Sequence, residues 1–391
     1  MSATFRYQDQ ESLTEMLGDM EPNVMAGHLD RRGTKVRCVT SGHPANSLYR
    51  ASEEEKIARP DAQQIWYGGS RTNAKGPLLD CAESILSKSR AAGGPNSVAQ
   101  SFTGADGIMM KAATMDAFTS YQDLDGPGRI DDNGDVHLPK IGILNGTSSM
   151  NAGVSSDDVH SAFHKGFPAD LYEFVQEMGR VDRKLNGVPG EDSYEVHVSF
   201  DSFISMFLRI MKNEDGIERK RLLISFYEVV QFLLTPETCY HSFIETYFEL
   251  EERPKVDCER FCSKCLGEVA DFTGRVDRDQ LISFLSTNVL APGKCPKPSE
   301  VIKAMKLEKE HLFHPEDVPN HLMGQIHALC LQLVAKGILG VSVKEASKDK
   351  VGTNKLTEND LVVTLPNGVN SRGITLPAYT ITEYWSGLNV V

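Results

Sequence analysis

The stretch VHSAFHKGFPADLYEFVQEMGRVDR, Val159 to Arg183, decides the fold. VHSAFHKGF reads as a strand, and PADLYEFVQEMGRVDR reads as a helix opened by Pro168, whose fixed φ suits a first helical turn. A strand running straight into a helix is half of a βαβ unit. Neighbouring stretches repeat the rhythm. AQQIWYGGS (62–70) is a short apolar run ending in glycines, the pattern of a buried strand. LLDCAESILSKSRAA (78–92) sets Leu78, Leu79, Ala82, Ile85 and Leu86 on one helical face. SVAQSF (97–102), KIGILNG (140–146) and SYEVHVSF (193–200) read as further strands, and GIMMKAATMDAFTSY (107–121) as a helix with Met109, Met110 and Met115 in its core face. LDGPGRIDDNGDVHLP (124–139), rich in Gly, Asp and Pro, reads as a surface insertion. Strands alternating with helices predict an α/β fold with a parallel sheet covered on both faces.

Beyond residue 200 the pattern turns helical: SFISMFLRIM (202–211), RLLISFYEVVQFLL (221–234) and CYHSFIETYFELEE (239–252). Further on, DQLISFLSTNVL (279–290), SEVIKAMKL (299–307) and HLMGQIHALCLQLVAKG (321–337) read as helices, and ILGVSV (338–343) and DLVVTLP (360–366) as strands flanking a polar turn. Three short helices and a two-strand ribbon are the outline of a winged helix. The resulting division is a leader or linker over 1–58, an α/β lobe over 59–200, a helical module over 201–270, a winged-helix outline over 271–365 and a tail over 366–391.

The chain has 391 residues, 40 % hydrophobic and 24 % charged, with a net charge of −13. That balance excludes a non-specific nucleic-acid coat, which is basic overall, but permits one locally basic channel. Arg209, Lys212, Arg219, Lys220 and Arg221 cluster, and read as a solvated helix face. The first residues lack the basic start and apolar core of a secretory signal, and no run of about 18 apolar residues predicts a membrane span.

QEMGRVDR, Gln176 to Arg183, fits Q-x-x-G-R-x-x-R. Continued as a helix, it places Gln176, Arg180 and Arg183 on one face, because positions three and four apart are neighbours. Two guanidiniums there form an anion clamp of the kind phosphoryl transfer needs. An ordinary surface helix with two arginines is the competing reading.

Of eight cysteines, Cys38, Cys81, Cys295 and Cys330 are scattered and read as buried thiols. Cys239, Cys258, Cys262 and Cys265 form C-x18-C-x3-C-x2-C, the spacing of a closed, tetrahedral, structural Zn²⁺ site. Unligated thiols are the alternative. His43, His164 and His314 have no partner at ligand spacing and read as structural. Asn145 opens an N-G-T acceptor sequence inside a strand pattern, which gives it no glycosylation role.

The octet at 176–183 resembles the final conserved motif of superfamily 2 helicases, the RecQ family in particular. Further stretches resemble that family's motifs in order: IWYGGSR (65–71), SFTGADG (101–107) and TSSMNAGVSSDDVHSAFHKGFP (147–168). The cysteine module, after a helical segment, resembles the RecQ zinc module. The resemblance implies a RecA-like second motor lobe joined to a zinc module. It implies that Arg180, Arg183 and Gln176 act at ATP, and that Ser70, Arg71 and Thr147 lie along the nucleic-acid strand. It further implies single-stranded or forked DNA as partner, 3′-to-5′ unwinding in recombination and repair, nuclear residence and no membrane. Asn151 stands where the family has glycine, Ser155 where it has Asn or Asp, and GRVDR replaces GRAGR, setting Asp182 between the arginines.

No G-x-x-x-x-G-K-[ST] loop and no D-E-x-[DH] box occur in the chain. VTSGHPANSLYR (39–50) resembles the linker that leaves the first motor lobe. The chain is therefore expected to begin where that lobe ends, to use ATP and Mg²⁺ only with it, and alone to turn over no significant ATP. The alternative is a non-catalytic DNA-binding or interaction protein derived from such a helicase.

Overall fold

The computed structural model describes residues 34–68, 75–119, 129–130, 136–147, 150, 158–181, 191–235, 239–248, 258, 261–268, 283–285, 287, 296–307 and 322–364. The elements of the lobe run β1 (Lys35–Thr40), α1 (Pro44–Ala58), β2 (Gln63–Tyr67), α2 (Pro77–Ala91), β3 (Val98–Phe102), α3 (Ile108–Thr119), β4 (Arg129–Ile130), β5 (Val136–His137), β6 (Ile141–Gly146), β7 (Val159–Lys165), α4 (Leu171–Met178) and β8 (Ser193–Val198). Six of these strands form one parallel sheet in the order β1-β8-β7-β2-β6-β3. β4 and β5 pair antiparallel within the insertion. The α/β class expected of a RecA-like helicase lobe is the class observed.

Each face of the sheet has its own apolar layer, as period-two side-chain alternation requires. Trp66, Ile143 and Phe163 pack on one side with Leu48 of α1 and Leu78, Ala82, Ile85 and Leu86 of α2. Ile65, Tyr67, Ala162, Tyr194 and Val196 pack on the other with Phe174 and Met178 of α4. A buried side chain of this size contributes about 1.5–3 kcal/mol.

Four local expectations are corrected. Residues 35–58, read as leader or linker, instead supply β1 and α1, with β1 paired to β8 from Lys35↔Ser193 to Thr40↔Val198. The segment resembling an interlobe linker lies in the same two elements. α4 does not start at Pro168: its N-cap is Asp170, whose carboxylate accepts from the Glu173 N–H at 2.8 Å. That bond satisfies an otherwise unpaired first-turn donor, which proline at 168 cannot do. Met109 and Met110 are 61 % and 38 % exposed beside exposed Ile108, and only Met115 packs on the core. The first turn of α3 projects from the layer that its later residues Ala117 and Phe118 join.

The chain continues as α5 (Phe200–Met211), α6 (Gly216–Leu234), α7 (Tyr240–Phe248), α8 (Pro298–Leu307), α9 (Leu322–Ala335), β9 (Gly340–Val343) and β10 (Leu361–Thr364). β9 and β10 pair antiparallel. α5 opens with a reciprocal cap: Ser199 and Ser202 each accept from the other's backbone N–H. One apolar cluster runs from Val36 through Phe200, Phe226 and Phe232 to Leu329 and Val363. α9 lies against the sheet edge closely enough that a Cβ on Gly324 would stand 3.2 Å from the Thr40 carbonyl. His327 on α9 accepts from the Phe200 N–H at 3.0 Å. No helix among the described residues is long and apolar enough to cross a membrane.

Candidate functional site

The four clustered cysteines converge. Cys239 immediately precedes α7 and accepts, through its carbonyl, from the Phe243 N–H. Cys262 and Cys265 sit in one tight turn, with the Cys265 N–H 3.5 Å from the Cys262 sulfur. All four Sγ atoms lie within 4.8 Å of one another, and Cys239 and Cys262 are 3.7 Å apart. Tetrahedral Zn–S bonds of about 2.3 Å give sulfur separations of roughly 3.8 Å. An all-thiol donor set at that spacing fits a closed, structural metal site. Hydrogen bonds from the Cys239 and Cys258 thiols hold Cys262 well below the usual thiol range, the direction that favours a ligating thiolate.

The cysteine turn is also fastened to the sheet. Val36 of β1 bridges Cys262 in parallel register: the Val36 N–H donates to the Phe261 carbonyl, and the Ser263 N–H donates to the Val36 carbonyl at 2.9 Å. Lys264 donates to the Phe232 carbonyl at 2.6 Å and lies 4.2 Å from the Tyr240 ring centroid. A buried ammonium is tolerated there because carbonyl and π density replace its water. Burial pushes the nearby Cys38 thiol up to about 12, keeping it protonated. Cys38, Cys81 and Cys330 carry no disulfide, and Cys295 lies outside the described residues.

The clamp sequence is built differently from a continuous helix. α4 ends at Met178, and Gly179 caps it at φ −67°, ψ 0°. Arg180 therefore stands in the turn beyond the helix, half-buried, rather than on a helical face with Gln176. Gln176 is half-buried on α4, and Thr147 is half-buried just past β6. Arg183, Ser70, Arg71 and His314 lie outside the described residues. Asn145 is fully buried in β6, so it is closed to glycosylation as expected.

What positions α4 is a buried polar group that sequence patterning missed. Glu177 is 0 % exposed; its Oε2 lies 2.7 Å from His164 Nδ1 and accepts from the Tyr194 hydroxyl at 2.6 Å. His164 pairs with Tyr67 in the β7–β2 register and stacks on it with 16° between the rings. Burial drives Glu177 up to about 7 against the pull of His164. Burial is the largest single influence on His164 and lowers it, but the Glu177 charge and hydrogen bond, with the Glu173 charge and a backbone bond at Phe167, together leave the imidazole above its usual value. His164 is structural, as expected, but as an ionisable partner of the helix that leads to Arg180.

The described residues form an α/β lobe built on a six-stranded parallel sheet, with a four-thiol centre beside its edge. The chain is 30 % identical over 129 residues to a protein of Acanthamoeba polyphaga mimivirus described as an ATP-dependent RNA helicase, covering 33 % of this chain and 22 % of that one. It is 29 % identical over 130 residues to the ATP-dependent DNA helicase Hus2/Rqh1 of Schizosaccharomyces pombe, covering 32 % and 9 %. The chain thus spans under a quarter of the length of either relative. No family profile matches it. Solved structures similar to it include S. cerevisiae Dbp5 bound to RNA and ADP BeF3, 12 % identical over 52 % of this chain and 46 % of that one at a TM-score of 0.35. Another is the DEAD-box helicase Mss116 bound to ssRNA and UDP-BeF, 15 % identical over 68 % and 51 % at 0.37.

Proposed function

We propose that this chain is the second motor lobe and zinc module of a RecQ-type, ATP-dependent 3′-to-5′ DNA helicase acting in recombination and repair in the nucleus. The observation that carries the reading is the four-thiol centre fastened to the edge of a helicase-like parallel sheet. In this reading Cys239, Cys258, Cys262 and Cys265 hold a structural Zn²⁺, which locks the α6–α7 region and the cysteine turn onto β1. Arg180 and Arg183, with Gln176, stabilise charge on the γ-phosphate of an ATP·Mg²⁺ held by a phosphate-loop lobe. Ser70, Arg71 and Thr147 contact the DNA backbone, on single-stranded or forked substrate.

The departures at Asn151, Ser155 and Asp182 favour a second reading, a non-catalytic DNA-binding derivative, because a carboxylate between the arginines competes for the clamp. One experiment separates the two. The chain is joined to a lobe carrying a phosphate loop, and DNA-stimulated ATPase is measured. Turnover that falls on Arg183→Ala supports the motor reading; strand binding with no turnover supports the second. No strand binding at all overturns both.

A further inference from the structure

α4 (Leu171–Met178) is 8 residues long, about two helical turns, and Arg180 stands in the turn that follows it. Each backbone N–H of that turn reaches back into α4. Gly179 donates to the Val175 carbonyl at 2.9 Å, Arg180 to that of Glu177 at 3.0 Å and Val181 to that of Met178 at 3.2 Å. Met178 and Val181, which bracket Gly179 and Arg180, are both 0 % exposed. The place of Arg180 therefore follows the place of the last turn of α4.

Apolar packing alone sets that place loosely. Phe174 and Met178 lie against the sheet, with the Phe174 ring edge-on to Tyr194 and to Phe232 of α6. Such contacts are non-directional, and a short helix can turn or slide on them. Glu177 falls on the same stripe, three residues after Phe174. There a fully buried carboxylate meets two strands at once: Oε2 lies 2.7 Å from His164 Nδ1 of β7 and accepts from the Tyr194 hydroxyl of β8 at 2.6 Å. Tyr194 stands opposite Ala162 in the β7–β8 register. The two anchors are thus two residues apart along the strands, about 7 Å. Bonds from two strands, set diagonally, fix both the rotation and the axial position of α4.

Stability does not account for this group. The other carboxylate oxygen, Oε1, has no hydrogen-bond partner among the described residues. A buried acceptor left unmet is costly, and apolar residues of similar size in place of a buried charged pair are often neutral or stabilising. What the polar group adds is direction.

We propose that Glu177, held by His164 and Tyr194, is the positioning residue that sets Arg180 at its working place. The inference rests on the reading of Arg180 at the γ-phosphate and deepens it. A misplacement of about 1 Å is enough to cost on the order of 10²-fold in rate.

The test is amide hydrogen exchange on the full chain. The wild type is compared with the triple variant Glu177→Leu, His164→Leu, Tyr194→Phe, which removes the three polar groups together. The variant is expected to melt at or above the wild-type temperature. It is expected to lose protection roughly 10-fold or more at Gly179, Arg180 and Val181 while keeping it in β7 and β8. Unchanged protection at those three amides overturns the proposal, because apolar contacts then suffice. Equal loss across β7 and β8 also overturns it, because the group then merely holds the core.

In a second arm the chain is joined to a phosphate-loop lobe. The triple variant is expected to lower kcat about 10²-fold with KM for ATP and strand affinity unchanged. Glu177→Gln, which keeps an acceptor for both anchors, is expected to stay near wild type. Arg180→Ala separates the failures. A kcat that falls in Arg180→Ala but not in the triple variant overturns the positioning role and leaves the clamp reading standing. A kcat that falls in neither overturns both. Should the triple variant fail to fold, Tyr194→Phe, which removes one anchor and keeps the charged pair, carries the same expectations at smaller size.

Discussion

Glu177 on α4 and His164 on β7 meet at 2.7 Å in the core, with side chains 0 % and 3 % exposed. Both hold protons more tightly in the folded chain than outside it. Glu177 rises from its usual 4.5 to about 7, and His164 lies above its usual 6.5. Their contribution is therefore fully present below about pH 4.5 and is lost as pH rises through 7 and through the folded value of His164. Melting temperature is expected to fall between pH 5 and 8, and Glu177→Gln to flatten that fall. Parallel slopes in calorimetry of the two proteins would show that the pair does not govern the dependence.

Tyr194→Phe removes one of the two groups on the Glu177 carboxylate. The loss is expected to cost about 1–3 kcal/mol, since a buried acceptor loses its donor without regaining water. Chemical denaturation measures it; a cost near zero would mean Tyr194 packs but does not anchor α4.

Zinc content by atomic absorption is expected at one ion per chain. Cys262→Ser should abolish it, and with it a folding contribution on the order of 10 kcal/mol. Unchanged metal content and melting would assign the four thiols to packing alone.

Arg180→Ala, in the chain joined to a phosphate-loop lobe, is expected to lower kcat by about 10³-fold or more with little change in strand affinity. An equal loss in both would indicate that Arg180 supports the turn after α4 rather than the nucleotide.

Gly324→Ala tests the seat of α9 on the sheet. The new Cβ would crowd the Thr40 carbonyl, a backbone atom with little room to yield. A cost of about 1–3 kcal/mol is expected, read by thermal melting; no cost would mean α9 lies further from β1.

Local signals were the readable ones. β2, β3, β6, β7 and β8 announce themselves as short apolar or alternating runs, and the cysteine cluster needs only spacing within 27 residues of chain. β1 escaped because KVRCVT is mostly half-buried, with only Val36 fully inside, as befits a strand near the sheet edge. Glu177 escaped because a carboxylate in an amphipathic helix reads as surface; its partners lie 13 and 17 residues away and meet it only through strand order. The helical register expected from Gln176 to Arg180 is interrupted at Gly179, where α4 ends, and Arg183 lies outside the described residues. Met109 and Met110 were assigned inward on composition, which says nothing about where a first helical turn points.

The bridge from Val36 to Cys262 has a consequence for self-association. A β-strand border left bare offers its amides to any similar border, and chains then stack. Here the cysteine turn occupies part of that border, so chelation should do more than loosen a knuckle. It should uncap β1 and turn a monodisperse sample turbid, with the onset set by chelator dose rather than by temperature.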